Sequence, residues 1–302
     1  MKKLFLTLAL SLTLMGAKAQ LLYKISGNGL EKPSYVIGTY HFGNTTFAER
    51  IPGVKEALTE TDQVYGELIF DDILRPDTIA MMTQAMQLPE GKTLKDVLSA
   101  DQYDRLNAFL RRTMGNDLNA SATVTQAMAH LTPMALANQI EVLLIATHGI
   151  ARIDPTTTFD QYFQAQAKVN NMPVGGLETA AGQAKLLYNT IPLDRQAITL
   201  MCLIDNEDAT VQMLKSISDA FYAMDLDALD KAMNEKLNNS CDATPEEQEI
   251  LIYSRNQDWA SRMPAIMQQS PTFFAVGAAH LTGAKGLLQL LKDKGYQVEG
   301  VK

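Results

Sequence analysis

The sequence predicts an α/β fold: a central mixed sheet with catalytic residues at its strand ends, carrying a large helical insertion. Three observations predict it. The chain closes on a strand, loop, helix and strand between Thr272 and Gly300, an ending that packs helices on a sheet. Strand-like segments near the start are separated from that ending by a long stretch rich in Met, Ala, Leu and Gln with helical patterning. The frame Gly-x-x-His follows an apolar strand-like run twice, as Val36-Ile37-Gly38-Thr39-Tyr40-His41 and as Ala275-Val276-Gly277-Ala278-Ala279-His280. A strand tip ending in Gly lets the backbone turn tightly, so the imidazole can project into the crevice beyond the sheet.

The elements follow in order. Met1-Lys2-Lys3, the apolar stretch Leu4 to Met15 and the small-x-small run Ala17-Lys18-Ala19 read as a signal peptide over 1–19, cut after Ala19. The apolar part is too short for an ordinary spanning helix. No Cys follows the cut, so neither a lipid anchor nor a stable membrane anchor is expected, and the mature chain is periplasmic or secreted. Residues 20–302 read as one domain. Leu21 to Ile25 and Ser34 to Ile37 flank Gly27-Asn28-Gly29 as a hairpin, and Gln63 to Leu68 is a third strand. The helical insertion covers about 71–170, with breaks at Pro89-Glu90-Gly91, Gly115-Asn116 and near Pro133. Met81, Met82, Met86, Met114, Met128 and Met134 read as core filling within it. Asp154-Pro155-Thr156 precedes a helix over Phe159 to Val169, and a short strand covers Met172 to Gly175. Helical sequence resumes from Ala180 to about Lys236, and Thr244-Pro245-Glu246-Glu247 starts another helix with a capping residue and a proline. The closing elements are a strand at Thr272 to Val276, a helix at Ala284 to Lys292 and a strand at Tyr296 to Gly300.

The net charge of −8 excludes a nucleic-acid partner, which needs a basic face to neutralise phosphate. In an oxidising compartment Cys202 and Cys241 could pair, but spacing alone leaves the bond open. They form no metal motif.

Three strand candidates end in ionisable tips, His41, Glu67 and His280, and a fourth ends near Glu178. If the strands run parallel, these tips share the end of the sheet where ligands bind. Two imidazoles and a carboxylate suit a divalent transition metal, with Zn, Mn, Co and Fe equally served. A single Gly-x-x-His is more often structural than catalytic; the duplication and Glu67 are what favour a site. Taken alone, Glu67 reads equally as a strand-end hydrogen-bond acceptor. His130 and His148 lie in helical sequence without that context and read as structural. Arg255-Asn256 is either a surface pair or an inward one able to bind a carboxylate or steady an oxyanion. Glu178 and Asp160 default to helix capping or an ion pair. The chain lacks Gly-x-Ser-x-Gly, His-Glu-x-x-His and a phosphate loop, and Gly27-Asn28-Gly29 fails the dinucleotide pattern.

Gly38-Thr39-Tyr40-His41, Gly66-Glu67-Leu68, Gly176-Leu177-Glu178-Thr179 with Gln183, Arg255-Asn256, and Val276 through His280 to Gly295-Tyr296-Gln297-Val298 occur in one order along the chain. Together these blocks resemble the TraB/GumN family, whose animal members include the Tiki proteins. The resemblance implies an α/β fold similar to the erythromycin esterase and ChaN-like proteins. It also implies metal-dependent proteolysis, since Tiki proteins trim Wnt ligands near their N-terminus with two Gly-x-x-His motifs. By position, His41 and His280 would be metal ligands or catalytic histidines, and Glu67 a ligand or general base. Arg255 and Asn256 would complete the site. The expected activity is therefore a metal-dependent hydrolase, a peptidase acting on a peptide or protein substrate, with Wnt itself not implied. Two alternatives stay open: a non-catalytic haem- or peptide-binding protein, with an imidazole or Tyr40 on the iron, and a metal-independent esterase with His41 as base.

Overall fold

Gly27, Asn28 and Gly29 all take positive φ (76°, 47° and 84°), the left-handed backbone that the two glycines make available. They close the hairpin between β1 (Leu22–Ser26) and β2 (Ser34–Thr39), which pair antiparallel. The computed structural model describes residues 20–120, 123–152, 154 and 157–302. The signal peptide expected over 1–19, and the Pro155-Thr156 part of the expected punctuation, lie outside the described residues.

The remaining strands are β3 (Gln63–Gly66), β4 (Val174–Gly176), β5 (Thr272–Gly277) and β6 (Gln297–Gly300). They form one mixed sheet in the order β4-β3-β5-β2-β1-β6. The strands β4, β3, β5 and β2 are mutually parallel, while β1 runs antiparallel to both β2 and β6. The four parallel strands therefore end on one side, and their following residues share the crevice there. Helices fill each parallel crossover, as a parallel pair requires.

The fold is the mixed α/β architecture that the sequence predicts, with small shifts at element ends. β3 stops at Gly66, where a Cβ would lie 2.4 Å from the Gln164 amide; that close approach ends the strand and lets Gln164 bond Leu68 O and Phe70 N. β4 starts after Pro173, which has no N–H to give a ladder. The last helix begins at Leu287 because Gly286 stands as its cap, and the helical run from Ala180 closes at Met233.

The main core lies on the sheet, where Phe159, Phe163, Phe221, Trp259, Phe273 and Phe274 are all fully buried. Successive residues of β5 point to opposite faces. Phe273 stacks on Phe163 of helix Phe159–Val169, with centroids 5.2 Å apart, and Phe274 meets Tyr65. A second core joins helices Ala100–Met114 and Pro133–Thr147 to helices Leu193–Asp205 and Glu207–Tyr222. The helical layer is thus built from the segments before and after β4, and helices of the 71–170 stretch share their core with later ones. Met128 is buried, Met114 packs on this second core, and Met81, Met82, Met86 and Met134 surround Ala135, Ala184 and Tyr188. A disulfide joins Cys202 to Cys241. Among the described residues no helix is long and apolar enough to cross a membrane.

Candidate functional site

The parallel strands β4, β3, β5 and β2 lead directly into Glu178, Glu67, His280 and His41, in that spatial order. Adjacent strands lie about 4.8 Å apart, so Glu67, His280 and His41 follow three neighbouring strands. Gly277 and Gly38 provide the close approach: a Cβ on Gly277 would stand 3.2 Å from Glu67 Oε1, and one on Gly38 would crowd Ala278 and Leu281 at 3.0 Å. The Gly277 N–H donates to Glu67 Oε1 at 2.8 Å.

Arg255 is the hub of the inner half. Its Nε donates to Glu178 Oε1 at 2.7 Å, and its Nη2 donates to Glu67 Oε2 at 2.7 Å and to Glu178 Oε2 at 3.2 Å. Its Nη1 donates to Leu251 O at 3.1 Å and meets His280 Nε2 at 3.0 Å. All five guanidinium N–H groups are used, and the residue is only 9% exposed. Arg255 and Asn256 are thus an inward pair. Helix Ser254–Gln269, which carries both, is preceded by a π-helical turn at Glu249–Tyr253; such turns re-aim side chains and recur at functional sites.

Asn256 fixes the other side of His280, its Oδ1 lying 2.7 Å from Nδ1, while its Nδ2 donates to Lys285 O. His280 therefore carries its proton on Nδ1 and accepts from Arg255 through Nε2. Burial pushes the His280 pKa down to about 4 against the pull of Glu67. Burial alone would raise Glu67, but His280, Arg255, His41 and the Gly277 N–H outweigh it and hold the carboxyl below its ordinary value.

His41 forms the outer half. Its side chain is 69% exposed, and its Nδ1 lies 2.8 Å from Asp160 Oδ2. Thr39 donates to the other oxygen of Asp160. The Asp160 carboxylate raises the His41 pKa. Burial acts to raise Asp160, yet His41 and the hydrogen bonds from His41 and Thr39 keep it below its usual range. Glu141 of helix Pro133–Thr147 brings a further carboxylate within electrostatic reach of His41, its own pKa raised by burial.

Sequence reasoning left Asp160 and Glu178 as ambiguous carboxylates; the structure makes each the anchor of one half. It missed Trp259, whose indole donates to Glu178 Oε1 at 3.0 Å. The Trp259 ring lies 4.5 Å from that of His280 and 4.8 Å from the Arg255 guanidinium. Gln183, noted only within a family block, donates to Glu67 and Glu178. His130 lies outside this cluster, near Lys92 O, and His148 lies near Glu207.

Both clustered imidazoles are oriented through Nδ1 by an acceptor, the arrangement that commonly positions a metal-binding histidine. The donor types suit a divalent transition metal. Among the described residues, however, no three His, Cys, Asp or Glu side chains converge as a ready metal cage. The Arg255 guanidinium stands between Glu67 and His280.

Known proteins similar in sequence to the chain include several metalloproteases. The chain is 27% identical to metalloprotease TIKI1 of Danio rerio, across 89% of this chain and 61% of that protein. It is also 27% identical to metalloprotease TIKI1 of Homo sapiens, across 89% and 60%. With the metalloprotease TIKI homolog of Nematostella vectensis the identity is 24%, across 89% and 65%. The chain thus spans about six tenths of the length of these curated relatives. No solved structure gives a significant match. The TraB/PrgY/gumN family model matches residues 21–300, which include every strand tip described above, and the chain belongs to that family.

Proposed function

We propose that the chain is an exported, metal-dependent hydrolase, periplasmic or secreted, that cleaves peptide-like substrates at His41, Glu67 and His280. The observation that carries this reading is the row of those residues after three adjacent parallel strands, with each imidazole pinned through Nδ1. The metalloprotease relatives support the reaction class. The leader-like sequence of residues 1–19 and the Cys202–Cys241 disulfide support an oxidising compartment.

His41, Glu67 and His280 would hold the metal, which supplies Lewis-acid polarisation of a carbonyl and acidification of water. The chain's other residues orient them. Asp160, steadied by Thr39, keeps the His41 proton on Nδ1 and turns Nε2 outward. Asn256 likewise keeps the His280 proton on Nδ1, but Nε2 there accepts from Arg255, so His280 would ligate only once Arg255 Nη1 withdraws from that nitrogen. Arg255 holds Glu67 ionised and aligned, and Glu178 and Trp259 hold Arg255 in turn. With all its N–H groups occupied, Arg255 acts as a positioning residue and not as an oxyanion donor.

One observation favours a second reading, a metal-independent esterase: the His41–Asp160 pair leaves an exposed imidazole in the orientation of a general base. The same Asp160 raises the His41 pKa, which protonates more of it at neutral pH and weakens it in that role.

The deciding experiment measures metal content in wild type, His41→Ala and His280→Ala, with circular dichroism as folding control. About one metal per chain in wild type, lost in both folded variants, is the expected result. Unchanged metal in the variants, or none in wild type reloaded with Zn, Mn and Co, would sink the metallohydrolase reading. Ester hydrolysis insensitive to chelator would then favour the second.

A further inference from the structure

Among the described residues the sheet ends at β4, with no strand on its outer side. Val64 N–H donates to Pro173 O at 3.0 Å, and Leu177 N–H donates to Gly66 O at 2.9 Å. Pro173 and Leu177 therefore face β3. Backbone groups alternate along a strand, so Val174 and Gly176 turn their N–H and C=O groups away from β3, at the edge of the sheet. A bare edge is a template for another extended chain.

Three features around this edge suit such a guest. A cavity of about 430 Å³ opens at its C-terminal end, lined by Gly176 and Glu178 and, across from them, Ile69 and Met81. Asp72 and Asp77 also line it against the single Arg75, which lies 4.0 Å and 3.0 Å from them, while Glu178 is held by Arg255. The cavity therefore keeps an acidic excess and favours a basic side chain. Leu74 and Val169 are 65% and 76% exposed, and both lie within a few residues of the Lys168–Asp71 pair that ties the end of helix Phe159–Val169 to the segment after β3. Lastly, Glu178 both lines the cavity and holds Arg255, so a chain following β4 reaches the strand tips directly.

We propose that a polypeptide substrate binds in extended form as an added strand on the outer edge of β4, seating one basic side chain in the cavity beside Glu178. The pairing groups are the N–H and C=O of Val174 and Gly176; main-chain bonds give affinity and the cavity gives side-chain selectivity. This rests on the peptide-hydrolase reading above and specifies how that site receives its substrate.

The test is hydrogen–deuterium exchange of the full chain as purified, with short labelling in the cold. One sample contains a pool of random decapeptides, and another the same pool with N-methylated backbones. Val174→Pro removes one outward donor without touching the β3 ladder, and Ala181→Trp fills the cavity mouth from an exposed position. Protection over 172–178 by the plain pool alone is expected, with binding about five- to tenfold weaker in each variant. Should Val174→Pro fail to fold, Ala181→Trp and the N-methylated pool still decide. Binding that leaves 172–178 unprotected, or that is unchanged in the folded variants, overturns the edge proposal and leaves the hydrolase reading intact. No binding of the plain pool by wild type overturns the edge proposal and the peptide substrate class together, and the metal measurement then judges the site by itself.

Discussion

Arg255 Nη1 lies 3.0 Å from His280 Nε2, so a guanidinium fills the one lone pair that Asn256 leaves open on that imidazole. The same guanidinium bonds both Glu67 and Glu178. Two carboxylates, one cation and a neutral imidazole thus share a nearly dry space. The geometry demands the neutral His280 tautomer, since a protonated Nε2 would point an N–H at another N–H.

Removing Arg255 should therefore harm folding as well as chemistry. Arg255→Ala leaves Glu67 and Glu178 buried without their cation, a loss of roughly 3–5 kcal/mol. Arg255→Lys keeps the charge but replaces five planar N–H donors, all in use, with three on one tetrahedral nitrogen, so an intermediate loss is expected. Urea denaturation of the two variants checks the order; an Arg255→Ala protein as stable as wild type would contradict the hub assignment.

Asp160→Asn should lower the His41 pKa toward its ordinary value of about 6.5, because the Asp160 carboxylate is the main cause of its rise. NMR titration of the His41 ring in chelated protein reads this directly. The variant should stay folded, since His41 is largely exposed and Asn can still accept at Nδ1.

Much of this was legible in the chain. The duplicated Gly-x-x-His frame identifies two strand tips, since a strand-like run followed by Gly fixes where the imidazole projects. Glu67 shares that logic. Asp160 was not legible as the partner of His41, because 119 residues separate them and only the fold brings the first turn of helix Phe159–Val169 to the end of β2. Trp259 looks like any apolar helix residue until Glu178 is seen at its indole N–H. The shared core of helices 133–147 and 193–205 was hidden for a related reason: periodicity shows that a helix has an apolar face, but not which face it meets.

Acid should destabilise the chelated protein through His280 before the carboxylates titrate. Its folded-state pKa is about 4, below the ordinary histidine value of 6.5, so between these values the unfolded chain binds the extra proton. Stability is full above pH 6.5 and falls as pH drops toward 4, by roughly 3 kcal/mol if the whole shift is realised. Glu67 and Asp160 are held low and contribute below that window. Thermal melts from pH 7 to pH 4 should show the slope in wild type and a flatter one in His280→Gln.

The Cys202–Cys241 bond should stabilise the helical layer and, through it, the site. It closes a loop with a sequence separation of 39, for which chain entropy gives about 4 kcal/mol. The same loop is clamped by Arg195, which bonds Ser240 O, Asp242 O and both oxygens of Glu247. Glu247 lies just ahead of the π-helical turn that leads to Arg255. Cys202→Ser with Cys241→Ser should therefore lower the melting temperature by several degrees and increase hydrogen exchange over 237–256. The strands β2 and β5 should stay protected, because their pairing does not pass through this loop. A reduced protein whose exchange rose equally in β5 would show that the bond holds the whole fold and not the approach to Arg255.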